Sequence, residues 1–405
     1  MNLGVEYNEK GDTQEALQEL KKAFALKPGN ALIHNNFGTV YTKMKRYQQA
    51  FESFKKALEL RPQYSEAQYN LGTTYLHFKK YPEAIECFKM ALALKPHYAK
   101  AYNNLGYVYY LLGMNDEALE PCRKALELNP SFMEAHFNLG RVYCKKGLYD
   151  LAFDQFHQAL ALSPKNPALL QEVAIAYNMK GSYDQAIHYL KKAIRLAPDS
   201  AQAYNILATS YRFKKLHKKA IEEYKRALLL DPGFLEAYYN LGICYQDLKL
   251  YPQAIEHYRK SLTIKDDYVP AFNNLGNIYF SLNDYDQAIE EYKKAVRIKP
   301  DYYQALNNLG NAYNQKGWYN KAKETLQNAI QCAPEFAHSY NNLGDTYNFT
   351  EQYEEAIKYY QTALKLNPSL ITANLSLADI YAQKVKDEKK AQYYSTQAEL
   401  LKTDR

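Results

Sequence analysis

Residues 269–302 read VPAFNNLGNIYFSLNDYDQAIEEYKKAVRIKPDY, and residues 303–336 read YQALNNLGNAYNQKGWYNKAKETLQNAIQCAPEF. Laid over each other at an offset of 34, the two segments share Asn-Asn-Leu-Gly-Asn, a Tyr two residues on, two alanines in the second half and a late Pro. Working outward, the same period runs the length of the chain, and a fixed period of this size marks a repeat architecture. The eighth position is Gly4, Gly38, Gly72, Gly106, Gly140, Ala174, Ala208, Gly242, Gly276, Gly310, Gly344 and Ala378, always Gly or Ala. The eleventh is Tyr without exception, from Tyr7 and Tyr41 to Tyr347 and Tyr381. The twentieth is Ala from Ala16 to Ala356, and again at Ala391 if one residue is inserted in the last repeat.

Each repeated residue type has a packing reason. The spacing of Leu105, Val108, Tyr109 and Leu112 suits one face of a helix. Small residues at positions eight, twenty and twenty-seven let two antiparallel helices approach closely, and aromatics such as Tyr41 and Phe54 fill the remaining space. Gly113, Gly147, Gly181 and Gly317 fall at position fifteen, where a chain reversal favours a residue tolerant of positive φ; other repeats place Lys, Asn or Glu there. Proline at position thirty-two, from Pro28 to Pro368, ends the second helix, with Asp266 the one replacement. Pro121, inside a second helix, is expected to kink it.

The pattern L-G-x2-Y, A-x3-F, P resembles the tetratricopeptide repeat, and the resemblance covers essentially the whole chain. It implies an all-α fold: a right-handed superhelical α-solenoid of about twelve hairpins, first helices lining a concave groove. The repeats are then 1–30, 31–64, 65–98, 99–132, 133–166, 167–200, 201–234, 235–268, 269–302, 303–336, 337–370 and 371–405 of one solenoid, the last helix acting as cap. Met1 corresponds to position five of a repeat, which leaves two readings open, a native start upstream or a frayed first repeat.

Composition and motifs argue against an enzyme. The chain has no phosphate-binding glycine loop, no HExxH or GxSxG, and no metal-spaced Cys and His set, so neither cofactor nor metal is expected. Its five cysteines are odd in number and widely spaced. Lys and Arg (51) are interleaved with Asp and Glu (44), which leaves no basic stripe for nucleic acid. With no long apolar run and no signal-peptide start, the chain reads as cytoplasmic and not membrane-bound.

The expected function is therefore that of a non-catalytic scaffold, binding extended peptides or partner helices of other proteins. In the family's architecture, positions two, five, six, nine, twelve and thirteen of each first helix face the groove. Position six is Asn at Asn2, Asn36, Asn70, Asn104, Asn138, Asn240, Asn274, Asn308 and Asn342. Such a ladder of amides, each both donor and acceptor, resembles the asparagine ladder of the superhelical repeats in O-linked N-acetylglucosamine transferases, which holds substrate peptides. A consensus residue inherited with the repeat is the other reading. The ladder is densest in repeats nine to eleven, where Asn273, Asn277, Asn307, Asn311, Asn314, Asn341 and Asp345 join it. Glu172 and Ile206 interrupt it, dividing the expected groove in two. Nearer the N-terminus, Tyr69, Tyr107, Tyr110 and Phe137 serve either a ligand or the packing between repeats. Position five is never Lys and position six never Arg, so a clamp for a chaperone EEVD-type tail is not expected. The alternatives are a recruiting arm of an enzyme complex, such as a glycosyltransferase on another chain, and an RNA-binding solenoid.

Overall fold

The computed structural model describes residues 12–403, and Asn2, Gly4 and Tyr7 lie outside them. Among the described residues every regular element is a helix. They group into two compact units, Met1–Ser210 and Tyr211–Arg405. Each unit is a row of antiparallel hairpins. A first helix of 13 residues, such as Met133–Lys145 or Tyr303–Gln315, is followed by a second of 14, here Tyr149–Leu162 and Tyr319–Cys332.

The close approach inside a hairpin depends on glycine at position eight facing a large side chain sixteen residues on. At Gly140 an added Cβ would lie 2.6 Å from Phe156 Cε1, and at Gly276 2.5 Å from Tyr292 Cε1. Real contacts do not reach such distances, so the ring occupies the volume a methyl group would need. Ala152 and Ala159 on the facing helix are wholly buried. Where position eight is Ala174, the partner is the smaller Leu190, and both are wholly buried.

The turn between paired helices has one conformation whatever its sequence. Gly113, Gly147, Gly181 and Gly317 have φ of 71° to 81°, and Lys45, Lys79, Lys215, Lys249, Asn283 and Glu351 have φ of 58° to 61°. Position fifteen is thus left-handed in each of repeats two to eleven. The geometry lets the next N–H reach back to the tyrosine carbonyl at position eleven, as Leu148 does to Tyr143 at 2.9 Å. In the last repeat a single π-helical turn, Tyr381–Val385, precedes the left-handed residue, which becomes Lys386. That turn absorbs the inserted residue that brings Ala391 into phase, because i→i+5 bonding accommodates one residue more per turn.

Proline has two outcomes. Pro82 and Pro252 sit in the first turns of their helices, where no hydrogen bond is lost. Asn115–Leu128 is one continuous helix with Pro121 inside it. No helix of the described residues is long and apolar enough to cross a membrane.

Candidate functional site

The first helices of adjacent repeats lie side by side, and a row of amide hydrogen bonds joins them. Asn70 Nδ2 donates to Asn35 Oδ1 at 3.0 Å, Asn138 to Asn103 at 2.9 Å, Asn308 to Asn273 at 3.1 Å and Asn342 to Asn307 at 2.9 Å. Every pair is 35 residues apart, from position six of one repeat to position five of the one before. Where position five is Tyr, the phenol oxygen takes over: Asn104 donates to Tyr69 at 3.2 Å and Asn274 to Tyr239 at 3.1 Å.

This arrangement corrects two expectations. Asn273, Asn307 and Asn341 do not line the face; they are 5–7% exposed, between the helices. Asn138 is likewise buried, and so is Asn314, whose amide bonds the Asn342 carbonyl at 3.0 Å and accepts from Thr346 at 3.0 Å. Nor do the position-six amides all present both a donor and an acceptor. Asn308 gives its Nδ2 to Asn273 and also to Asn277 at 3.0 Å, and Asn274 gives its own to Tyr239 and to Tyr258 at 3.2 Å. Their Oδ1 atoms each receive one bond, from Asn307 at 3.2 Å and from Asn273 at 3.5 Å, and a carbonyl oxygen has a second lone pair to offer.

The donors on this face come from position nine. Asn277 Oδ1 accepts from Tyr292 Oη at 2.8 Å and from Asn308, which leaves its Nδ2 unbonded. Half-buried Asn311 keeps its whole amide free, because Leu326 stands where its neighbours have a tyrosine. Asp345 accepts from Tyr360 Oη at 2.7 Å and from Asn341 at 3.2 Å. Burial pushes its carboxyl up to about 6, with the tyrosine bond pulling the other way. The tyrosines that reach through to this face from the second helices were missed in the sequence. Their signal was present: position twenty-four is Phe at Phe54, Phe88 and Phe156 but Tyr at Tyr258, Tyr292 and Tyr360.

In the first unit the candidates are less polar. Asn36, Asn70 and Asn104 are half-buried, and Asn36 Nδ2 is enclosed without a partner. Tyr69 packs on Tyr98, the last residue of its own repeat, with ring centroids 4.9 Å apart, and its phenol oxygen takes the Asn104 bond from the next repeat. Tyr107 and Tyr110 stack at 6.4 Å, with the Arg141 guanidinium 4.6 Å from the Tyr110 centroid. In the second unit Asn240 is half-buried. On the first-helix face Arg212 bonds Asp247 at 3.0 Å, whereas Arg141 only comes within 3.8 Å of Glu172. No group of three or more metal-ligating side chains occurs among the described residues.

Family models for the tetratricopeptide repeat match residues 29–97, 99–132, 131–199, 176–233, 235–268, 303–336 and 337–370, and a TPR-repeat model matches 4–45 and 276–317. The chain belongs to the tetratricopeptide-repeat family. Among solved TPR-like structures, the human IFIT1 dimer with m7Gppp-AAAA is 23% identical, with 90% of this chain and 88% of that chain covered at a TM-score of 0.53; at that identity the likeness shows the fold alone. YrrB, described as a TPR protein with an unusual peptide-binding site, is 28% identical over 45% of this chain and 95% of its own, at a TM-score of 0.38. MamA is 30% identical over 40% of this chain and 95% of its own, at a TM-score of 0.36. No curated protein matches the chain. Proteins built of TPR hairpins are in general interaction scaffolds.

Proposed function

We propose that this TPR protein is a non-catalytic scaffold that holds an extended peptide segment of a partner protein on the first-helix face of repeats nine to eleven. The observation that carries the reading is the division of labour between two rows. Position six offers fixed acceptors in the Oδ1 atoms of Asn274, Asn308 and Asn342, and position nine offers free donors in Asn277 and Asn311. A peptide backbone alternates N–H and C=O, so it can bond both rows whatever its side chains, each bond contributing roughly 0.5–1.5 kcal/mol net. The acceptors are held in place by bonds to the preceding repeat, which lowers the ordering cost of binding.

The test places a photo-crosslinking amino acid at Asn311 and, as a control on the exposed second-helix surface, at Gln327. The reading expects partner proteins captured through position 311, with the crosslinked residue mapping to an extended segment. Crosslinks through position 327 alone would overturn it.

A further inference from the structure

The interruption of the asparagine ladder at repeat six coincides with a pocket, wholly within the first unit. Between the helices Met133–Lys145 and Pro167–Met179 lies a cavity of about 220 Å³. Tyr110 and Phe156 line one part of it, and Ile175, Ala176 and Met179 another. Arg141 is held there by aromatic rings, its guanidinium carbon 4.6 Å from the Tyr110 centroid and 5.5 Å from that of Phe137.

Two features make the charge of this pocket incomplete. Arg141 Nε is buried and has no hydrogen-bond partner, and the carboxylate of Glu172 stands 3.8 Å from Nη2, beyond hydrogen-bond range. Lys145 at the rim is exposed and makes no ion pair. Two cations therefore face one anion, beside an apolar wall. A guanidinium offers side-on donors that fit a carboxylate, and such charge-assisted bonds are about twice as strong as neutral ones.

We propose that this pocket takes the side-chain carboxylate of a Glu or Asp in an extended peptide, on the Arg141 guanidinium and near Lys145, with an adjoining apolar side chain against Ile175 and Met179. A chain terminus carries the same carboxylate chemistry, and the experiment below separates the two sources. The site is separate from repeats nine to eleven and stands whether or not that face binds peptide.

The test uses full-length protein carrying 13C-methyl methionine, with the Met179 resonance assigned through Met179→Leu. Three probes are titrated: acetyl-Gly-Leu-Glu-Leu-Gly-amide, its Gln counterpart, and acetyl-Gly-Leu-Gly-Leu-Gly with a free carboxylate. The Glu peptide is expected to shift the Met179 methyl saturably, with the Gln peptide about tenfold weaker, the loss of one charge-assisted pair. Arg141→Gln is expected to reduce the Glu peptide to the level of the Gln peptide. Glu172→Gln should tighten binding and Lys145→Ala weaken it, and these two variants decide the matter if circular dichroism shows Arg141→Gln to be misfolded. Equal shifts from the Glu and Gln peptides, a response to the terminal carboxylate alone, no shift at Met179, or an affinity unmoved by Glu172→Gln and Lys145→Ala would each overturn the proposal.

Discussion

Asn342 Nδ2 donates to Asn307 Oδ1 at 2.9 Å, across 35 residues of sequence and between two helices of different repeats. Asn307 is buried, and its oxygen also receives Ser339 Oγ at 3.3 Å, so one carbonyl ties two residues of the next first helix to its own. The ladder is thus a joint between repeats before it is a surface.

It follows that Asn307→Ala should cost about 1–3 kcal/mol, because enclosed donors lose their acceptor. Asn311→Ala, which breaks no intramolecular bond, should stay within about 0.5 kcal/mol of wild type. Urea denaturation distinguishes the two, and equal losses would refute the assignment of joint and surface roles.

The reciprocity of Gly140 and Phe156 calls for a double-mutant cycle. Gly140→Ala alone is expected to destabilise by about 1–3 kcal/mol, since the new methyl group would overlap the ring. On a Phe156→Leu background the penalty should shrink, because leucine can pack beside alanine here as Leu190 does beside Ala174, and alanine favours the helix by about 1 kcal/mol. Additive effects would mean that the ring does not occupy that volume.

Lys249 and Glu351 hold left-handed conformations that cost an L-residue roughly 1–2 kcal/mol. Lys249→Gly should therefore raise the thermal midpoint and the free energy of unfolding by up to about 1 kcal/mol, the gain in native strain offset in part by the more flexible unfolded chain. A loss of stability would contradict the turn geometry.

Asp345 gives the fold a pH dependence. Burial raises its carboxyl from an ordinary value of 3.8 to about 6. Between about pH 4 and 6 the folded state retains a proton that the unfolded state has released, so stability falls as pH rises through that window and stays lower above it. Asp345→Asn should stabilise the protein at pH 7 by on the order of 1–3 kcal/mol, with the difference fading near pH 4. Thermal melts of both proteins at pH 4, 5.5 and 7 would check this.

Thiol reactivity should separate the five cysteines. Burial pushes Cys122 and Cys144 up to about 12 and Cys87 and Cys244 up to about 11, whereas Cys332 is exposed. Brief native treatment with iodoacetamide is expected to modify Cys332 alone, since the thiolate is the nucleophile. Peptide mapping of the label reads the outcome.

The sequence alone determined the hairpins, the repeat phase and the inserted residue in the last repeat. These rest on pairings such as Gly140 with Phe156 and Gly276 with Tyr292, sixteen residues apart at the same phase of the period, so periodicity carries the packing with it. It also pointed to the asparagine rows. Only the tertiary structure decided which amide atoms remain for a ligand, because that depends on neighbouring first helices lying close enough for a bond across 35 residues. Asn307 and Asn308 are adjacent in sequence and alike in chemistry, yet one is enclosed as an acceptor and the other keeps a lone pair at the surface. Residue type cannot distinguish them; the direction of each side chain on its helix does. The same holds for Arg141, whose buried, unpartnered Nε lies among the rings of Tyr107 and Tyr110 from the preceding repeat and Phe137 on its own helix.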